Sequence, residues 1–131
     1  MYAKPNPQDA YKQQGILTAN PAELIVMLYD GCIKQLKLGC LAVESKGYEK
    51  ANNCFQKAQR ILLELITSLD FHYDLAYDLM RLYEYMIDEI IEGNLQKNTE
   101  PILAVASLLE ELRGAWAHLA KSGAASVAVA E

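Results

Sequence analysis

The chain is poor in the residues on which most metal and enzyme chemistry depends. Only two histidines occur in 131 residues, His72 and His118. Carboxylate metal sites in helical bundles use Glu-x-x-His pairs on facing helices. Here Leu69 and Ala115 stand three positions before the histidines, so that pattern is missing. The three cysteines, Cys32, Cys40 and Cys54, are odd in number and have no CxxC spacing. Cys32 and Cys40 would stand about 12 Å apart on one helix, beyond disulfide reach. All three sit in apolar periodic stretches and are expected as buried free thiols. The seven glycines are dispersed, which excludes a phosphate-cradling loop. No serine or cysteine stands in a nucleophile motif. No catalytic, metal-binding or cofactor-binding residue is therefore assigned, and the chain does not read as an enzyme.

Long apolar runs and positive charge are scarce as well. A membrane span needs about 20 apolar residues, whereas the run Leu24 to Tyr29 has six. A net charge of −5 argues against nucleic acid, which is bound by basic surfaces. The start, "MYAKPNPQDAYKQQ", has no apolar segment behind a basic flank and does not read as a signal peptide. A cytoplasmic location is expected. The acids are unevenly spread: residues 71–96 hold Asp74, Asp78, Glu84, Asp88, Glu89 and Glu92 against one base, Arg81. Such a stripe is either a solvated face or a surface for a basic partner.

What is present is helical periodicity. Residues 1–19, with two early prolines, read as a mobile arm with a short helix around Asp9 to Gln14. Asn20 suits an N-cap, with Pro21 at the first helical position and Glu23 completing a capping box. Helix one is expected from Pro21 to about Lys46, ended by Gly47. Helix two is expected from Tyr48 to Leu69, with Ala51, Cys54, Phe55, Ala58, Ile61, Leu62, Leu65, Ile66 and Leu69 inward. After the turn "DFHYD", helix three should run to Glu92, with Leu75, Leu79, Leu82, Tyr83, Met86, Ile87 and Ile90 inward and Gly93-Asn94 as the stop. Helix four, capped by Asn98 or Thr99, carries Ile102, Val105, Leu108, Leu109, Leu112, Trp116 and Leu119 inward. The tail from residue 121 to residue 131, "KSGAASVAVAE", has no pattern and is expected to be disordered. Four long helices joined by short turns predict an all-α, antiparallel up-down four-helix bundle over residues 20–120, following the arm.

The apolar run poses a specific question, because six consecutive helical positions point in every direction. Leu28, Cys32, Ile25, Val43, Leu36, Tyr29, Cys40 and Ile33 fill a core-facing sector roughly 140° wide. Leu24 and Val26 fall just outside its two edges, and Met27 points nearly opposite its centre. Leu63, Leu103, Tyr85 and Tyr77 are further strays on the other helices. A surplus at one place marks an interaction surface. Met27, with Leu24 and Val26, next to an arm carrying Tyr11, Ile16 and Leu17, is the strongest combination. Either the arm packs over the first turns of helix one, or arm and partner compete for that surface.

One segment suggests a different trade. His118 with Lys121 three positions on, in "AHLAKSG", is similar to the phosphoacceptor segment of histidine phosphotransfer domains, which are also four-helix bundles. The alternative function is therefore a phosphorelay protein using His118. A plainer account is a C-terminal His and Lys favoured by the helix dipole.

The ordered set "AYKQQGILTANPAELIVMLYDGCIKQL", "KAQRILLELITSLD" (Lys57 to Asp70), "LMRLYEYM" (Leu79 to Met86) and "LLEELRGAW" (Leu108 to Trp116) resembles the flagellin-specific export chaperones of the FliS family, over about residues 10–117. The chain departs from many members in having "HYDLAY" where they carry a Gly-Gly-Glu segment. The resemblance implies a cytoplasmic chaperone for the disordered C-terminal region of flagellin, which prevents early polymerisation and aids delivery to the flagellar type III export gate. It places Tyr11 in the segment associated with flagellin binding. Ile16, Leu17, Leu24, Val26 and Met27 are candidates from the helical wheel, not from the family. Self-association through the arm is a further expectation.

Overall fold

A computed structural model describes residues 21–122, and these form four helices. They are α1 (Pro21–Glu44), α2 (Tyr48–Thr67), α3 (Asp74–Gln96) and α4 (Thr99–Ser122). Helix α1 packs against α2 and α4, and α3 closes the ring between those two. Short connections between neighbours make this the antiparallel up-down bundle that the periodicity predicts. The expected cap at Asn20, the arm and the residues after Ser122 lie outside the described residues.

The core follows the apolar stripes. Tyr29, Leu36, Phe55, Leu62, Leu65, Tyr83, Met86, Ile90, Ile102 and Leu109 are all fully enclosed. Burying each large side chain contributes about 1.5–3 kcal/mol, and the conformational entropy of the ordered chain offsets most of that sum. Val43, Ile61, Ile66, Leu82, Ile87, Leu108, Leu112 and Leu119 are half-buried against this core. Leu75 corrects the expectation: it is exposed, and Ala76 is buried instead. The rhythm Leu79, Tyr83, Met86, Ile90, carried backward by threes and fours, lands on 76 rather than 75.

Two helix ends also differ from the reading. The left-handed residue after α1 is Lys46, with φ of 64°, whereas Gly47 has φ of −84°. The Lys46 N–H donates to the Val43 carbonyl at 3.0 Å and the Gly47 N–H to the Ala42 carbonyl at 2.7 Å. This interlocked pair satisfies carbonyls that a helix end leaves open. Helix α3 does not stop at Gly93-Asn94 but continues to Gln96. Its end repeats the α1 pattern: Lys97 has φ of 52°, its N–H reaches the Asn94 carbonyl, and the Asn98 N–H reaches the Gly93 carbonyl.

Gly93 is there for packing. A Cβ at that position would lie 2.7 Å from Ile102 Cγ1, so its absence lets α3 approach α4 closely. Gly39 does the same for α1 and α2, where a Cβ would lie 2.3 Å from the Phe55 ring.

Candidate functional site

Three of the motifs quoted above meet in the interior. Tyr29 of "MLYDG", Tyr83 of "LMRLYEYM" and Trp116 of "LLEELRGAW" form one buried hydrogen-bonded group. The Tyr29 and Tyr83 hydroxyls are 2.6 Å apart, and the Trp116 indole N–H donates to the Tyr29 hydroxyl at 3.2 Å. The two tyrosine rings meet edge to face with centroids 6.3 Å apart. Burial raises the pKa of both phenols, and hydrogen bonds from Tyr83 and Trp116 partly oppose this at Tyr29. The group thus stays uncharged and ties α1, α3 and α4 together through polar contacts that water cannot replace.

The thiols complete the interior. Cys32 donates to the Ala58 carbonyl of α2 at 3.6 Å, and burial pushes its pKa up to about 12. Burial, then the Glu44 carboxylate, pushes Cys40 up to about 11. All three cysteines are free and buried, which makes them inert rather than nucleophilic. Outside, Asp30 of "MLYDG" pairs with Arg113 of "LLEELRGAW", and Lys37 meets Glu110 at 2.9 Å. Both pairs clasp α1 to α4, but exposed pairs contribute only about 0–1 kcal/mol. The signature motifs therefore encode the bundle.

The surplus apolar residues of α1 divide into two groups. Val26, Leu24 and Met27 are all half-buried. Val26 packs against the core, whereas Leu24 and Met27 do not belong to that cluster. On the helix, Val26 lies about 40° from Asp30, hence toward α4, and Leu24 lies about 60° from Met27 on the other edge. The structure thus brings Leu24 and Met27 together and sets Val26 apart. Leu38, missed in the sequence reading, is half-buried, also outside the core cluster, and about 20° from Met27. The signal was on the wheel, masked by the charged positions Lys34 and Lys37 between them. Tyr11, Ile16 and Leu17 lie outside the described residues.

Elsewhere, His118 is exposed in the penultimate turn of α4. His72 is exposed in the α2–α3 connection, where its backbone N–H and its ring both reach the Asp70 carboxylate. The backbone bond first, then the ring, holds the Asp70 carboxyl below the usual range. Among the described residues no three His, Cys, Asp or Glu side chains converge as a metal-binding group. No described helix is long and apolar enough to cross a membrane.

The described residues thus form a four-helix bundle tied by buried aromatics, with half-buried apolar residues along one edge of α1. A solved structure described as a flagellar chaperone from bacteria has the same fold: its TM-score is 0.73 at 22% identity, covering 87% of this chain and 94% of that one. The flagellar secretion chaperone FliS of Bacillus subtilis is 33% identical over 117 residues, 89% of this chain and 88% of that protein. The flagellar secretion chaperone FliS of Escherichia coli is 28% identical, covering 88% and 90%. The family model described as "Flagellar protein FliS" matches residues 4–123. The chain belongs to the FliS family of flagellar secretion chaperones, which are chaperones and not enzymes.

Proposed function

We propose that this protein is a cytoplasmic chaperone that binds the disordered C-terminal segment of flagellin, keeps it from polymerising, and helps deliver it to the flagellar export gate. The observation that carries the reading is the apolar edge of α1. Leu24, Met27 and Leu38 are partly covered without joining the core. Family membership supplies the partner class. Ordering a disordered segment costs several kcal/mol, so it needs a long apolar contact rather than one pocket. A strip from residue 24 to residue 38 extends about 21 Å along the helix, enough for several turns of an amphipathic partner. Tyr11, Ile16 and Leu17 precede that strip in the chain and are the arm residues proposed to contribute to binding.

Calorimetric titration with the C-terminal segment of flagellin, with helicity followed by circular dichroism, tests the reading. Saturable one-to-one binding with helix gained beyond the sum of the parts is expected. Met27→Asp should weaken binding about tenfold or more with an unchanged melting temperature. Val26→Asp should instead lower the melting temperature, because Val26 packs on the core. Absence of heat and of added helix from a folded sample would refute the assignment.

A further inference from the structure

A second apolar strip lies on the opposite side of α2 from the α1 edge. The Asn94 side-chain amide donates to the Asn52 side-chain oxygen at 2.8 Å, which fixes the sides of α3 and α2 that face each other. Gln56, Gln59, Leu63 and Ile66 lie within about 40° of Asn52 on α2. Met80 and Ile87 lie within about 40° of Asn94 on α3, and Ile91 about 60° away. Ile66, Met80 and Ile87 are half-buried on the core and form the floor of this seam. Its rim is open: Leu63 is 52% exposed, Ile91 40%, and on the next ridge of α3 Tyr77 is 45% and Leu95 76%. Tyr77 to Leu95 spans about 27 Å, or five helical turns.

Charge selects the occupant. Glu84 and Asp88 stand exposed among Tyr77, Ile91 and Leu95, and residues 82–96 hold four acids and no base. The bases at either end are engaged: Arg81 with Asp78, and Lys97 with Asn94 while lying 5.7 Å over the Tyr48 ring. The α2 wall offers the neutral amides Asn52, Gln56 and Gln59, and farther out one acid and one base, Glu49 and Arg60, about 60° and 80° from Asn52. One wall is negative and the other, with Glu49 offset by Arg60, has no net charge, so a complementary helix needs positive charge on the flank facing α3.

We infer that the α2–α3 seam docks an amphipathic helix of a protein partner that carries lysine or arginine along the flank facing α3. This surface is separate from the α1 edge, and the inference stands whether or not the α1 edge binds flagellin.

The test uses the full chain, isotope-labelled for amide NMR, and two 18-residue helical peptides. Both present leucines on one face; one carries lysines on a flank and the other glutamates. The lysine peptide should shift the amides of Leu63, Tyr77, Ile87, Ile91 and Leu95, and should bind more weakly as salt rises. Glu84→Lys with Asp88→Lys should cost about tenfold in affinity for that peptide and create binding of the glutamate peptide, while affinity for the flagellin segment stays unchanged. Equal binding of both peptides, no binding, or shifts centred on Leu24, Met27 and Leu38 would each overturn the inference. So would loss of flagellin binding in the double variant, which would make the seam flagellin's own site. Self-association abolished by Leu63→Ser with Ile91→Ser would assign the seam to a second copy.

Discussion

The α1–α2 and α3–α4 hairpins are built alike and covered differently. Each ends its first helix with a lysine in the left-handed region, and each carries a glycine against a large side chain of the returning helix. Yet α1 is lined inward by ten buried residues and α3 by six, and α3 leaves Tyr77, Tyr85, Ile91 and Leu95 exposed. The first hairpin supplies most of the interior, and the second supplies surface. Substitutions on α1 therefore bear on interior and surface together, whereas the exposed side of α3 can change with little effect on the interior.

Substitutions at the paired positions put that comparison to the test. The largest effect is expected from Gly39→Ala, since its Cβ would sit 2.3 Å from an enclosed phenylalanine ring. Overpacking of this kind costs about 3 kcal/mol, read as a lower urea midpoint. Gly93→Ala should cost somewhat less, about 2 kcal/mol: the Ile102 side chain can yield and alanine favours the helix, but the Asn98 carbonyl oxygen, 2.9 Å from the new Cβ, cannot move as freely. Equal losses would mean that the two hairpins are packed equally tightly.

The tie between the hairpins comes next. Tyr29→Phe strands both the Trp116 N–H and the Tyr83 hydroxyl and should cost about 2 kcal/mol; Tyr83→Phe breaks one bond and should cost about 1. A reversed order in chemical denaturation would shift the centre of the tie to Tyr83. The thiols give a pH signature. Cys32 titrates near 12 folded against about 9 unfolded, so the folded state holds its proton longer. Stability is then fully present below about pH 9 and falls by up to about 1.4 kcal/mol per unit as pH rises toward 12. Cys32→Ala should make that slope shallower in denaturation curves taken at pH 8, 9 and 10, with Cys40 supplying a remaining part. The smallest effect is a gain: Lys46→Gly relieves a left-handed conformation by up to about 1 kcal/mol. Lys97→Gly should gain less, since it gives up contacts to Asn94 and Tyr48. Melting curves of the two variants side by side decide this.

Most of the bundle was legible in periodicity, because burial on a helix repeats by threes and fours regardless of partner. The errors fall where a residue type has two uses. Gly93 reads as a stop by propensity, but close approach to Ile102 uses the same missing Cβ in mid-helix. Gly47 reads as the left-handed cap, and the chain puts Lys46 there instead. Leu75 and Ala76 were exchanged because a stripe near a helix start has too few repeats to fix its phase. The site was less legible. Wheel positions set Met27, Leu24 and Val26 alike outside the core sector, because only the position of α4 shows that Val26 packs on the core. That Tyr29, Tyr83 and Trp116 share hydrogen bonds depends on the register of three helices, which no single stretch contains.

Trp116 is the only tryptophan in the chain, and its indole sits buried at 5% exposure, bonded to Tyr29. The molecule thus carries its own optical gauge. Emission from that ring reports whether α4 is still seated on α1. Partner binding that leaves the bundle closed should leave the emission maximum in place, and loosening of the bundle should move it to the red.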